Sequence, residues 1–296
     1  MLEGFETRSV ETSGTRIFLR RAGDGPPLLL LHGYPQTHVM WHRVAPSLAA
    51  RFTVVCPDLR GYGDSGKPPG GTDHAGYSKR AMARDMVEVM AALGFERFAV
   101  AGHDRGGRVT HRMCLDHPRR IERAAVLDIV PTRTIFDATD KAIAGGYYHW
   151  FFLSQPAPLP ERLIGGDPLF YLHRKLGAWG AAGLSSYAPG ALAEYERCFG
   201  DPATIHATCE DYRAAATIDL EHDTADQDAR IACPLLVLWG EKGLMQRNFD
   251  VLATWREKAG ASVEGRALPC GHFLPEEQPE ATTAELARFF AEGRAA

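Results

Sequence analysis

The most informative segment of the chain is Val100-Ala101-Gly102-His103-Asp104-Arg105-Gly106-Gly107-Arg108. Its apolar start predicts a strand, and the glycines around the centre predict a sharp turn into a helix. Turns of the form G-x-S-x-G expose a nucleophilic serine at the edge of a sheet. Here Asp104 stands at that position. A carboxylate is ionised near neutral pH and can displace a leaving group from carbon to form an ester. We therefore predict that Asp104 is a nucleophile, the alternative being a simple N-cap of the helix.

Apolar runs and helical stretches alternate on both sides of this turn. Strands are predicted at residues 17–20, 27–31, 52–56, 98–101, 124–127, 234–239 and 263–268. Helices are predicted at residues 78–93, 249–258 and 279–290. Short apolar strands that alternate with helices are typical of a parallel sheet buried on both faces. The predicted fold class is α/β, with a mostly parallel central sheet flanked by helices.

The alternation of strands and helices stops after Pro131. No strand stands out from there to about Asp223, and aromatic residues cluster at 147–152. We interpret residues 132–224 as an inserted helical cap. The core is then formed by two parts of the chain, residues 1–131 and residues 225–296.

The composition limits the classes of function. A chain of 296 residues with 45% hydrophobic and 24% charged residues can bury a large core. A net charge of -4 argues against a nucleic-acid or membrane-surface partner. The six cysteines form no C-x-x-C pair, and the N-terminus has no apolar signal segment, so we expect free thiols in the cytoplasm. No apolar run is long enough to span a membrane. We expect no metal and no other cofactor.

An ester on Asp104 needs a general base to activate water, and histidine is the usual one. Among the twelve histidines, His272 follows the last predicted strand and precedes the last helix. That position fits the chain order of nucleophile, acid and histidine. Asp128 ends the strand at 124–127, where the carboxyl edge of the sheet builds such sites. We predict that Asp128 orients His272, with Glu241 as the alternative.

Two arginines follow the predicted nucleophile. Arg105 and Arg108 are three residues apart in the first helical turn and therefore share a face. Arginine pairs bidentately with carboxylates, so the pair predicts an anionic substrate, the alternative being a salt-bridged surface pair. The backbone N–H groups of Arg105 and Tyr34 are candidates for stabilising an oxyanion on Asp104.

Four segments carry a resemblance to a known family. They are His32-Gly33-Tyr34-Pro35-Gln36, the turn at 102–108, Tyr148-His149-Trp150 and Gly271-His272-Phe273. Together they resemble the haloacetate (fluoroacetate) dehalogenases, which have the α/β-hydrolase fold. The resemblance covers nearly the whole chain, including Asp211-Tyr212-Arg213 and the strand end Leu127-Asp128-Ile129. Epoxide hydrolases and haloalkane dehalogenases share the Gly-His-Asp turn but usually have tryptophan after the aspartate. The discriminating residue is Arg105. Tyr34 stands where close relatives often have phenylalanine.

The resemblance implies an activity and a role for each matching residue. The implied reaction is hydrolysis of fluoroacetate or chloroacetate to glycolate and halide through an ester on Asp104, by a homodimer. The implied catalytic residues are Asp104, His272 and Asp128. The implied substrate-binding residues are Arg105, Arg108 and Tyr34, and the implied halide-binding residues are His149, Trp150 and Tyr212. Two alternatives stay open, an epoxide hydrolase with the same machinery and a non-catalytic ligand-binding member of the fold.

Overall fold

One eight-stranded sheet organises the chain, and the computed structural model describes it within residues 1–292. The strands are β1 (Glu6–Glu11), β2 (Arg16–Ala22), β3 (Pro27–Leu31), β4 (Thr53–Pro57), β5 (Phe98–His103), β6 (Ile121–Leu127), β7 (Leu235–Gly240) and β8 (Val263–Leu268). Their order is β1-β2-β4-β3-β5-β6-β7-β8. The β1–β2 and β2–β4 pairs are antiparallel, and every other neighbouring pair is parallel. The predicted α/β class with a mostly parallel sheet is confirmed.

Helices flank this sheet. Those of the first part are α1 (Ala45–Ala49), α2 (Lys79–Ala92) and α3 (Arg105–Asp116). Between β6 and β7 follow α4 (Thr132–Asp137), α5 (Lys141–Gly146), α6 (Tyr148–Leu153), α7 (Leu159–Gly165), α8 (Pro168–Trp179), α9 (Pro189–Phe199), α10 (Pro202–Ala216) and α11 (Ile218–Ala225). The last are α12 (Leu244–Asn248), α13 (Val251–Arg256), α14 (Leu274–Glu277) and α15 (Pro279–Ala291). Three short 3₁₀ helices lie at His38–Trp41, Ala75–Tyr77 and Gly183–Ser186.

The segment between β6 and β7 is helical. From Thr132 to Ala225, a stretch that the structure describes in full, the chain forms α4 to α11 and no strand. This agrees with the break in the sequence pattern after Pro131. The division of the chain into a core and a cap at 132–224 stays a prediction.

A strand that is buried has an apolar sequence pattern, and this is why some strands can be predicted from the sequence and others cannot. All of Leu28, Leu29, Leu30 and Leu31 in β3 are inaccessible to solvent, because β3 lies between β4 and β5. An apolar run is the expected pattern for such a strand. The structure adds β1, which the sequence analysis does not predict. This edge strand reads Glu-Thr-Arg-Ser-Val-Glu and is almost wholly exposed, so it carries no apolar alternation.

The parallel strands bring three loops to one edge of the sheet. β5 ends at His103, β6 at Leu127 and β8 at Leu268, and all three run in the same direction. The chain turns sharply after the first two, with φ of +47° at Asp104 and +52° at Asp128. Non-glycine residues rarely adopt a positive φ, and with ψ of −114° Asp104 lies outside even the left-handed region that Asp tolerates. The carboxyl edge therefore presents two carboxylates on constrained backbone.

The tight turn after β5 requires its flanking glycines. A Cβ on Gly102 would lie 2.3 Å from the Gly106 carbonyl oxygen, and a Cβ on Gly106 would lie 2.4 Å from that of His32. Both distances are well inside van der Waals contact. The G-x-D-x-G pattern is thus a steric consequence of packing α3 against the ends of β5 and β3.

Within residues 1–292, no helix combines the length and apolar character that a membrane crossing demands.

Candidate active site

Asp104 lies at the start of α3 with its side chain directed away from the helix. The carboxylate makes no capping hydrogen bond to α3. Its Oδ1 instead accepts a hydrogen bond of 2.9 Å from the Tyr34 backbone N–H. Its Oδ2 lies 3.8 Å from Nε2 of His272. Asp104 is therefore held by one of the two predicted oxyanion donors, with the second oxygen facing the histidine.

His272 follows β8 and pairs with Asp128 at the end of β6. Its Nδ1 lies 2.6 Å from Oδ2 of Asp128. The other oxygen of Asp128 accepts a hydrogen bond of 2.9 Å from the Gly240 backbone N–H. An imidazole held in this way donates from Nδ1 and presents Nε2 as the acceptor. Glu241, the alternative partner in the sequence, is exposed, and its backbone N–H donates to Leu268. The structure therefore places Asp128, and not Glu241, on the histidine.

Charges around the pair shift both pKa values. Burial raises the pKa of Asp104, but the positive charges of His272, Arg105 and Arg108 outweigh burial and hold it below its ordinary range. Burial lowers the pKa of His272, but its hydrogen bond to Asp128 and the charges of both carboxylates leave it above the ordinary histidine value. Asp104 is thus an anion near neutral pH, and His272 accepts a proton readily.

Arg105 is fully buried beside Asp104 and has one free nitrogen. Its Nε donates to Asp211 Oδ2 at 3.0 Å, and its Nη2 donates to both the carboxylate and the carbonyl of Asp211. Its Nη1 has no hydrogen-bond partner among residues 1–292. The guanidinium also lies 4.2 Å from the ring centroid of Tyr212. The cation is therefore fixed in place by the ion pair and still has a donor for a further anion.

Arg108 has two free nitrogens on the next turn of α3. Its Nη1 donates to the Val130 carbonyl at 2.9 Å and to the Thr132 hydroxyl at 3.2 Å. Neither its Nε nor its Nη2 has a partner in the described part of the chain. No carboxylate of residues 1–292 is hydrogen-bonded to this buried cation, since its two bonded groups are uncharged, and Asp104 acts on it only through space. Burial and the charge of Arg105 lower its pKa. An anion placed between the two arginines would satisfy both.

Three side chains on the helices between β6 and β7 carry unpaired polar atoms close to one another. The atoms are Nδ1 of His149, Nε1 of Trp150 and the hydroxyl of Tyr212, all buried and without a hydrogen-bond partner within residues 1–292. The Tyr212 ring lies 5.4 Å from that of His149 and 6.0 Å from that of Trp150. A buried donor without an acceptor costs about 1–3 kcal/mol. The rings that carry these three unpaired atoms contact one another, and together they indicate one place that would bind an acceptor.

Tyr34 connects this group to the nucleophile. Its ring is edge-on to Tyr212 at 5.2 Å and stacked on His149 at 6.1 Å, while its backbone N–H binds Asp104. The structure thus brings all the sequence-predicted site residues together around Asp104.

The structure adds two site residues that the sequence reasoning did not identify. Asp211 on α10 binds Arg105, and it also accepts a hydrogen bond of 2.7 Å from Tyr62 and pairs with Lys79. Trp179 at the end of α8 lies 4.4 Å from the His149 ring and 5.6 Å from the His272 ring. Asp211 directly precedes Tyr212, which is the one signal that could have marked it. Trp179 has no comparable signal.

Metal ligation has no support in the described residues. Within residues 1–292, no group of three or more His, Cys, Asp or Glu side chains is arranged to hold a metal ion.

Known proteins resemble the chain over its whole length. It is 49% identical over 294 residues to a fluoroacetate dehalogenase from Burkholderia sp., covering 99% of this chain and 96% of the relative. It is 35% identical to a soluble epoxide hydrolase from a Corynebacterium species, covering 94% and 95% of the two chains. A crystal structure of a putative alpha/beta hydrolase from Nostoc sp. PCC 7120 has a TM-score of 0.97 at 60% identity and covers 99% and 100%.

A family model supports the same assignment. Residues 26–279 match the model of the alpha/beta hydrolase fold. The matched residues include strands β3 to β8 and the helices between β6 and β7. This match and the relatives above agree with the arrangement of Asp104, His272 and Asp128 at the edge of the sheet. The chain belongs to the α/β hydrolase fold family.

Proposed function

We propose that the protein is a haloacetate dehalogenase that hydrolyses fluoroacetate or chloroacetate to glycolate and halide through an ester on Asp104. The observation that carries the proposal is the buried arginine pair beside Asp104, with free nitrogens on both Arg105 and Arg108. A carboxylate is the natural ligand for two converging guanidinium groups. The relative from Burkholderia sp., 49% identical, is named a fluoroacetate dehalogenase, which supports the same substrate class.

In the first step the Asp104 carboxylate attacks the halogen-bearing carbon. Arg105 and Arg108 bind the substrate carboxylate, which offsets the repulsion between two anions and aligns the carbon with Oδ2. A bond forms between Oδ2 and carbon as the carbon–halogen bond breaks, and the bonding pair leaves with the halide. The donors of His149, Trp150 and Tyr212 stabilise the halide as its charge develops.

In the second step water cleaves the ester. His272, oriented by Asp128, takes a proton from water, and the resulting hydroxide attacks the Asp104 carboxyl carbon. The Tyr34 backbone N–H, already 2.9 Å from Oδ1, stabilises the oxyanion. The intermediate collapses as the bond from the carboxyl carbon to the glycolate oxygen breaks, and His272 returns its proton to that oxygen. Asp104 then loses the proton of its new hydroxyl to solvent and is again a carboxylate. The net reaction converts haloacetate and water to glycolate, halide and a proton.

The function is tested by measuring halide release from purified protein. Fluoroacetate and chloroacetate are compared with a panel of neutral epoxides, because the 35% identical relative is named a soluble epoxide hydrolase. We expect fluoride or chloride release with glycolate as the carbon product. Diol formation without halide release would instead favour the epoxide hydrolase. Absence of turnover on every substrate would favour a non-catalytic binding protein.

The arginine pair makes a prediction about substrate charge. Arg108→Leu is expected to raise KM for chloroacetate about 10- to 100-fold, because a charge-assisted hydrogen bond contributes about 1.5–3 kcal/mol. Neutral chloroacetamide has the same shape and should be affected far less. Arg108→Lys is the matched variant that keeps the charge but loses the planar fork. An equal loss for both substrates in Arg108→Leu would argue against a carboxylate clamp.

The opposite pKa shifts predict different pH behaviour for the two steps. His272 must be neutral to act as a base, so ester hydrolysis should fail as pH drops through its pKa, which the hydrogen bond and charge of Asp128 still raise in the ester although the charge of Asp104 is lost there. Asp104, whose pKa is lowered, stays ionised over that range and continues to form the ester. Steady-state halide release should therefore show an acid limb, with the ester accumulating below it. Asp128→Asn should move the limb to lower pH. Loss of ester formation on the same limb would contradict this scheme.

The wider organisation of the protein completes the proposal. We place the cap at residues 132–224 and the core at 1–131 and 225–296. The cap exposes a large apolar surface on α7 and α8, including Leu163 and Phe170, which are 62% and 69% exposed. Such a patch supports a homodimer. All six cysteines are buried free thiols, in keeping with a cytoplasmic enzyme.

A further inference from the structure

A cavity of about 300 Å³ lies beside the candidate active site, between cap and core helices. The cap side is formed by the ends of α5 and α8, and the core side by residues 242–247 and 271–272. Two of its lining residues, Asp128 and His272, form the carboxylate–histidine pair described above. The cavity therefore reaches the base that activates water.

Positive charge is concentrated on the walls of this cavity. Arg174, Lys175, Lys242 and Arg247 all line it, and we call this group the cationic vestibule. None of the four forms an ion pair within residues 1–292. The acid that lines the cavity, Asp128, is already bound to His272. A chain with a net charge of -4 thus has an uncompensated patch of the opposite sign at its active site.

Lys175 is the innermost of these basic side chains, and burial together with the charge of Arg174 lowers its pKa to about 7. The residue is only 1% exposed, and its ammonium lies 3.4 Å from the ring centroid of Tyr148 and 5.1 Å from that of Trp179. No oxygen of residues 1–292 accepts a hydrogen bond from it. Aromatic faces stabilise a cation only in part, and a buried charge without a counterion is costly. A small anion in the cavity would supply the missing partner.

Trp179 joins this cation to the reaction centre. Its ring contacts Lys175 on one side, and it lies 4.4 Å from the ring of His149 and 5.6 Å from that of His272. His149 belongs to the proposed halide site and His272 is the proposed base. An anion at Lys175 is therefore separated from the reacting groups by a single indole ring.

We propose that the cationic vestibule is a second binding site for small monovalent anions, with Lys175 as its inner contact. Haloacetate passes through it to Asp104, and halide and glycolate leave by the same route. The part concerning haloacetate rests on the proposed function, whereas anion binding itself does not. Because the route is lined by positive charges, it concentrates anions and excludes cations. A neutral substrate gains no advantage from it.

The kinetic test compares charged and neutral substrates. Lys175→Met is expected to lower kcat/KM for chloroacetate about 10-fold and to weaken its dependence on ionic strength, with little effect on chloroacetamide. Lys175→Arg should retain most of the wild-type value. Arg247→Gln removes a charge at the mouth and should cost about threefold. Arg256→Gln, an exposed arginine that does not line the cavity, is the matched control and should cost nothing.

The binding test needs no turnover. Bromide quenches tryptophan fluorescence on contact, and in the proposed halide site it would also contact Trp150. The titration is therefore made in a Trp150→Phe background, where it should show a saturable component from Trp179. That component should disappear in both Lys175→Met and Trp179→Phe. Its persistence in Lys175→Met would overturn the second anion site, as would unchanged kcat/KM and unchanged ionic-strength dependence in an active Lys175→Met.

The two proposals can fail separately. A wild-type protein that releases no halide, but whose saturable bromide quenching depends on Lys175, would refute the dehalogenase and support the anion site. A protein that releases halide equally well with and without Lys175 would support the dehalogenase and refute the vestibule.

Discussion

Replacement of Asp104 by Asn is expected to abolish halide release from fluoroacetate and chloroacetate, with a loss on the order of 10⁴-fold or more. The reaction begins with an anionic oxygen attacking carbon, and a neutral amide oxygen is a poor nucleophile. Asn has nearly the same shape as Asp and the same branching at Cβ and Cγ, so it adds no steric conflict at this turn, where φ is +47°. Its amide oxygen can still accept the hydrogen bond from Tyr34. The variant should therefore fold and bind substrate without turning it over.

The control for Asp104→Asn is the covalent state of residue 104. Slow deamidation would regenerate aspartate, so peptide mass spectrometry must show that Asn is still present at the end of each assay. Thermal unfolding should match that of the wild type within a few degrees. Halide release by protein that remains Asn would contradict the assignment of Asp104 as the nucleophile.

Replacement of His272 by Asn is expected to stop the reaction halfway. The first step needs no base, and Arg105 and Arg108 still lower the pKa of Asp104. Each active site should release one halide in a burst and then stop, because nothing activates water against the ester. The peptide that contains Asp104 should be heavier by one carboxymethyl group. Steady-state turnover should fall at least on the order of 10³-fold.

The double variant Asp104→Asn/His272→Asn is the matched control for this trapping. It should show neither burst nor mass increase, which separates an ester on Asp104 from alkylation elsewhere. An unmodified Asp104 peptide in the single variant, together with normal folding, would contradict the two-step scheme. Labelling at another carboxylate would reassign the nucleophile.

The core of the site could be predicted from the sequence because it is local. The segment 102–108 contains the end of a strand, two close approaches of the backbone and the start of a helix. The position of Asp104 therefore depends on its neighbours in the chain. Asp128 and His272 follow strands β6 and β8, and parallel strands bring their ends to one edge. Edge strand β1 was missed because its exposed residues carry no apolar pattern.

The cap side of the site could not be derived in this way. His149 and Tyr212 belong to different helices, and only the resemblance to a family related them before the structure placed their rings 5.4 Å apart. Helix-to-helix packing in the cap depends on tertiary contacts rather than on spacing in the chain. For the same reason Trp179 and Lys175 have no signal in the sequence. Their importance depends on the cavity that they share.

The ion pair between Arg105 and Asp211 joins the core to the proposed cap, so it limits how the two parts can change independently in the family. Arg105 belongs to the core and Asp211 to α10 of the proposed cap, and both are completely buried. Breaking such a pair by removing one partner costs about 3–5 kcal/mol. If the cap came from a relative without Asp211, the guanidinium of Arg105 would be buried without a counterion. If the core came from a relative without Arg105, the carboxylate of Asp211 would be buried without one. Relatives that bind an acid should therefore inherit the core segment with Arg105 and the cap segment with Asp211 together. A chimera of two lineages should fold only when it takes both segments from the same lineage.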